Sequence, residues 1–130
     1  NQASIVSGAL TKILYQTESY DYGANYASSA FVAPKTGMYR LTAVIQSLTN
    51  LTSGKVGVAW FSVGGSSTPL AGTRESMGAT DFVTLNIFYE GPLTAGDSVA
   101  VYFSHDLGSD VTTNASGSVA KMFFSGSMVA

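Results

Sequence analysis

The chain has 130 residues, which fits one domain burying roughly two-thirds of its unfolded surface, and no cysteine, which excludes a disulfide framework and any thiolate site. Net charge is −2 and charged residues are only 11%, against roughly 25% in ordinary soluble domains. Lys12, Lys35, Arg40, Lys55, Arg74 and Lys121 stand singly, so there is no basic footprint for nucleic acid, and no apolar run approaches the ~18 residues of a membrane helix.

With 45% hydrophobic residues, an isolated copy would expose sticky surface, and a stable homo-oligomer is expected to hide it. The first residues lack the basic region and long apolar stretch of a signal peptide. Residues 1–8 are read as an N-terminal stub to which a stalk would connect, and residues 9–130 as a single head domain.

Strand signals recur along the chain and helix signals are nearly absent. Leu10 to Thr17 is a short mixed strand, Tyr20 to Tyr26 is turn-rich and aromatic, and Ser29 to Ala33 is a short strand ending at Pro34. Pro34 cannot donate to a ladder, and Gly37 is expected to use backbone angles closed to other residues, so a sharp joint falls between two strands. After it, Tyr39, Leu41, Ala43 and Ile45 alternate with Met38, Arg40, Thr42 and Val44 in a strand that runs to Leu48.

Val56 to Val63 presents Val56, Val58 and Trp60 on one face and Ala59, Phe61 and Val63 on the other. Two apolar faces imply cover on both sides, one by a second layer or subunit. Gly64 to Pro69 is a loop, Leu70 to Met77 a weak strand, and Asp81 to Tyr89 alternates Val83, Leu85, Ile87 and Tyr89 against Phe82, Thr84, Asn86 and Phe88. Glu90 to Asp97 is a turn. Ser98 to Ser104 points Val99, Val101 and Phe103 inward, with Ala100 and Tyr102 facing elsewhere, although one slip of register exchanges the faces. His105 to Gly117 is expected as a long exposed loop, and Val119 to Val129 closes the chain as a strand. Eight to ten short strands with regular turns indicate an antiparallel sandwich or barrel.

The joint Phe31-x5-Gly37-x-Tyr39-x-Leu41 resembles the signature of complement C1q heads and their tumour-necrosis-factor-like relatives, with Leu41 where that family has Phe. Tyr15, Asp21 and Tyr26 follow its upstream pattern, with Tyr15 in place of Phe. Leu93-Thr-Ala-Gly96-Asp97-Ser-Val99 is similar to its glycine-aspartate turn, and Phe124-Ser125-Gly126 to its closing strand. The resemblance implies an antiparallel two-sheet jelly roll packed as a homotrimer, which binds ligands and has no catalytic site. On that basis Tyr22, Phe61, Ala100 and Tyr102 are candidates for the trimer interface.

Candidate chemistry is sparse. A Ser-His-Asp hydrolase needs its histidine oriented by an acid, but His105 and Asp106 are adjacent on a strand end, where side chains diverge, and no nucleophile elbow is present. The chain is therefore expected not to be an enzyme. Asp106 and Asp110 are a weak alternative for calcium, set against solvated loop acids, and no cofactor is expected. Arg74 with Glu75 suits an interfacial ion pair or a contact to an acidic glycan or amino acid. Asn50-Leu-Thr52 and Asn114-Ala-Ser116 match the glycosylation pattern.

The function expected is a non-enzymatic trimeric knob of a virion or phage fibre, at the virion surface or outside the cell. Its partners would be a host-surface receptor or carbohydrate, without nucleic acid or membrane insertion. The ligand contacts would lie in the loops 49–55, 64–69 and 105–117 and on the strand after the second, through Asn50, Ser66, Arg74, His105, Asp106 and Asp110. The alternatives are a secreted recognition or signalling module and a purely structural trimerisation knob.

Overall fold

A computed structural model describes residues 2, 4–15, 26–27, 29–47, 49–64, 69–113 and 123–129, with only the backbone placement of 26, 27 and 123. Within these residues there is no helix, and the nine strands are β1 (Thr11–Lys12), β2 (Tyr26–Ala27), β3 (Ala30–Val32), β4 (Gly37–Gln46), β5 (Val56–Val63), β6 (Pro69–Ser76), β7 (Thr84–Leu93), β8 (Ser98–His105) and β9 (Phe123–Met128). They form two antiparallel sheets. One has the order β2-β3-β8-β5-β6, with β1 also paired to β8; the other is β7-β4-β9. The chain changes sheet at β3–β4, β4–β5, β6–β7, β7–β8 and β8–β9.

The period of two in β4 does what it predicts: Tyr39, Leu41, Ala43 and Ile45 are buried, while Met38 and Arg40 are exposed. In β8, Val99, Val101 and Phe103 are buried in the same core. Val83, Leu85 and Ile87 also turn inward, leaving Phe82 and Phe88 outside. The strand after Val83 runs on to Leu93, four residues beyond the expected end at Tyr89. Pro92 is tolerated there because β7 is an edge strand, where a missing N–H need not break a ladder.

The joint before β4 is held by side chains and by a second turn. Tyr39 is fully buried, and its hydroxyl donates to the Lys35 carbonyl at 2.7 Å and accepts from the Lys35 N–H at 3.3 Å. Phe31 meets the Tyr39 ring edge-on, with centroids 5.7 Å apart. The turn at 94–97 docks alongside. Ala33 N–H donates to Asp97 O at 2.9 Å, Gly96 N–H to Ala33 O at 2.8 Å, and Ala95 N–H to Thr36 Oγ1 at 2.9 Å. Asp97 closes its own turn by accepting from Thr94 N–H at 2.8 Å.

Left-handed backbone at this corner belongs to Gly96, at φ 90°, and not to Gly37, which is absent from the positive-φ glycines. Gly37 instead opens β4 opposite Leu93. The expectation placed on Gly37 is corrected accordingly: its neighbour across the corner carries the tight turn.

β9 completes the packing. Phe124 turns inward, 5.4 Å from the Phe61 ring and 5.8 Å from that of Tyr15, whose hydroxyl donates to Val44 O at 3.2 Å. Gly126 lies opposite Leu41, and a Cβ there would come within 2.6 Å of Leu41 Cδ2 and 3.0 Å of Phe31 Cδ2. Only hydrogen fits.

The N-terminal residues are pinned to the body. Ile5 is buried and exchanges two 3.0 Å backbone hydrogen bonds with Val111, and Gly8 N–H donates to His105 O at 2.7 Å. The exposed loop expected over 105–117 is therefore partly interior: His105, Val111 and Thr113 are buried. Residues 114–117 lie outside the described set.

Tyr39→Phe removes both hydroxyl bonds while keeping the ring, and is expected to cost about 1–2 kcal/mol in urea unfolding. Gly126→Ala is expected to cost about 1–3 kcal/mol through overpacking against Leu41 and Phe31, read as a fall in melting temperature.

Candidate functional site

The residues singled out for ligand contact do not share one place. Thr112 N–H donates to Thr49 Oγ1 at 3.1 Å, and Leu51 pairs with Asp81, so the 49–55 loop, the 77–82 turn and the 106–113 segment share one end of the sandwich. Asn50 and Asp110 are exposed there. The β5–β6 connection leaves from the other end, where Gly64 N–H donates to Ser98 O at 2.8 Å, beside the joint. The candidate loops thus start from two ends of the sandwich. Ser66 and Tyr22 lie outside the described residues, as do Asp21 and Asn114.

His105 is an interior residue. Leu107 N–H donates to its Nδ1 at 3.2 Å, which places the ring proton on Nε2, where it is donated to Ile5 O at 2.8 Å. Its ring stacks on Phe103 with centroids 5.7 Å apart. With both nitrogens held by backbone and the residue 3% exposed, it holds the N-terminal segment, and its ring nitrogens are not free for a surface ligand. Asp106 is exposed, but its Oδ1 accepts from Val56 N–H at 2.7 Å. Among the described residues no three His, Asp or Glu side chains gather as metal ligands.

The interface candidates also separate. Phe61 is fully buried in the core of its own chain, and Ala100, on the outward side of β8, is 5% exposed. Both are closed in without a second copy, which corrects the expected contact at these two positions. Tyr102 stays half-buried, in register with Trp60 of β5 and Lys12 of β1.

What the structure does bring together is a shallow hollow on the outer face of the β5–β6 hairpin. It is lined by Val58, Trp60, Pro69, Gly72, Thr73 and Arg74 and has a volume of about 390 Å³. The register explains it. Trp60 faces Gly72 across the hairpin and Val58 faces Arg74, so a large ring is opposite no side chain at all. A Cβ at residue 72 would sit 2.8 Å from Trp60 Cβ and from Ala59 O, leaving room for glycine alone. A second hollow of about 210 Å³ shares Val58 and Arg74 and continues toward Val56, Ser104 and Asp106.

Arg74 is exposed and has no ion pair among the described residues. Glu75, the next residue on the strand, projects to the opposite side. The one ion pair among the described residues is Arg40–Glu90, at 3.3 Å across β4 and β7 of the other sheet, with both side chains about half exposed. It contributes roughly 0–1 kcal/mol. Trp60 Nε1 is the only buried side-chain polar atom without a hydrogen-bond partner among the described residues. Sequence reasoning had named Arg74 and Trp60 separately. Their pairing with Gly72 needed the hairpin register, which shifts at a bulge between Phe61 and Ser62.

At the opposite end, burial and then the nearby Asp97 charge raise the pKa of Tyr89, whose hydroxyl donates to Pro92 O at 2.9 Å. Comparison with models of known protein families gave no match, and no curated protein sequence matched the chain either.

Folded Tyr89 holds its proton more tightly than the unfolded chain, so its contribution is complete below about pH 10 and fades as pH climbs through the higher folded pKa. Tyr89→Phe should lower the melting temperature near neutrality and flatten its decline on the alkaline side, measured by thermal melts between about pH 8 and pH 11.

Proposed function

We propose that the chain is a non-enzymatic homotrimeric head on a C1q-like jelly roll, a knob of a virion or phage fibre that binds a host-surface receptor or glycan outside the cell. The observation that carries this reading is the strand order. A jelly roll wraps two Greek keys so that successive strands alternate between facing sheets. The arrangement β2-β3-β8-β5-β6 over β7-β4-β9, with five changes of sheet, supports this reading.

Three of the four sequence blocks behind the resemblance support it further by meeting at one corner. Phe31 touches Tyr39, the Gly96-Asp97 turn bonds Ala33 and Thr36, and Gly126 closes on Phe31 and Leu41. Blocks scattered over most of the chain have no reason to converge unless they serve one joint.

Self-association is supported by the outward side of β7-β4-β9. Phe88 is 56% exposed in register with Thr42, beside half-buried Val44, and Met38 is 39% exposed at the end of the same face. This face takes the place of Phe61 and Ala100 as the proposed contact between copies. Phe88 and Met38 flank the exposed Arg40–Glu90 pair on this face, and exposed apolar side chains of this kind are what a symmetric partner would cover.

Light scattering should give about three times the 13.5 kDa chain mass at micromolar concentration, and Phe88→Asp should give folded monomers. A monomeric wild-type chain would sink the trimeric reading.

A further inference from the structure

Building on the reading of the chain as a recognition head, we propose that the hollow between β5 and β6 binds a saccharide bearing a carboxylate. Trp60 is its stacking floor and Arg74 its anion contact. The hollow lies on the face of the hairpin, not along its edge, so it offers a ring and a cation instead of a ladder of backbone groups for a peptide. Its volume of about 390 Å³ falls in the small-ligand range of roughly 300–1,000 Å³.

Each lining residue has a part. Gly72 leaves the space over Trp60 clear, and Val58 extends the apolar floor, which suits the C–H face of a pyranose ring. Arg74 stands at the end of that floor with a guanidinium that no carboxylate among the described residues pairs, and its planar fork matches a carboxylate in two parallel hydrogen bonds.

Charge sets the direction of binding. Beyond Arg74 the second hollow ends at Asp106, whose carboxylate is engaged by Val56 N–H and would repel an anion. The saccharide therefore lies on the Trp60 and Pro69 side of Arg74, with its carboxylate toward the guanidinium and away from Asp106.

Trp60 is the chain's only tryptophan, so intrinsic tryptophan fluorescence reports on this hollow alone. The probes are sialyllactose and trigalacturonic acid, with lactose and the methyl ester of trigalacturonic acid as uncharged counterparts, titrated into the full chain. A saturable change in emission is expected with the acidic sugars and not with the neutral ones. Arg74→Ala, at an exposed position that leaves the core untouched, should weaken binding by about tenfold or more, and Arg74→Lys should restore only part of it.

No emission change with either acidic sugar at millimolar concentration, or equal response to the neutral counterparts, overturns the proposal. The head reading is tested apart from it, by light scattering and by attachment of the trimer to host cells. Attachment that survives Arg74→Ala with Trp60 emission unchanged removes the hollow as the site and leaves the head standing. A monomeric chain that attaches to nothing removes both.

Discussion

A single hydroxyl group organises one end of this molecule. Tyr39 threads its ring through the core to reach the Lys35 backbone, and in doing so fixes where β3 ends and β4 begins. A buried tyrosine needs a partner for its oxygen, and a strand-to-strand corner leaves backbone groups without ladder partners. Each demand satisfies the other. The 94–97 turn then uses the exposed backbone of Ala33 and the Thr36 hydroxyl, which positions the start of β8, the central strand of the larger sheet. From that corner the two layers diverge with their spacing already set.

The hairpin hollow depends on the same frame at one remove. β8 aligns β5 by a regular register, and β5 aligns β6 through a pairing that shifts once at the bulge. Without that shift Trp60 would keep the same strand neighbour but the start of β6 at Pro69 would not close the hollow's rim. The outer surfaces of the two sheets thereby differ in character. One sets exposed Phe88 and Met38 on either side of the Arg40–Glu90 pair, and the other sets a ring beside glycine and a cation.

Legibility in the sequence followed the range of the forces concerned. Alternation in β4, β5 and β8 was readable because a strand's facing depends on its own neighbours, and burial at Tyr39, Leu41, Val101 and Phe103 agrees with it. Phe61 is expected at the subunit contact because both of its strand's faces are apolar, whereas the core claims it through Phe124. His105 was misjudged because polar neighbours suggest solvent, whereas Ile5, a hundred residues away, closes over it. Gly37 was credited with the corner's unusual backbone for want of knowing that Gly96 lies beside it. The hollow was illegible for the same reason: Trp60 and Gly72 become neighbours only when a register is known.

The docking of residues 2–8 has a mechanical side. Ile5 pairs with Val111 in antiparallel fashion and is buried, Gly8 is tied to His105, and the Gln2 side chain bridges Lys12 and Leu14. Tension drawn on the chain before Gln2 would not unpeel a loose end one bond at a time. It would first have to break the Gln2 bonds to Lys12, Leu14 and Thr113, then extract the Ile5 side chain and break its two bonds to Val111, and only then would the load pass through Gly8 to the end of β8. Because β8 lies between β5 on one side and β1 and β3 on the other, that load would spread into the middle of the larger sheet. The segment would act as a clamp on the larger sheet.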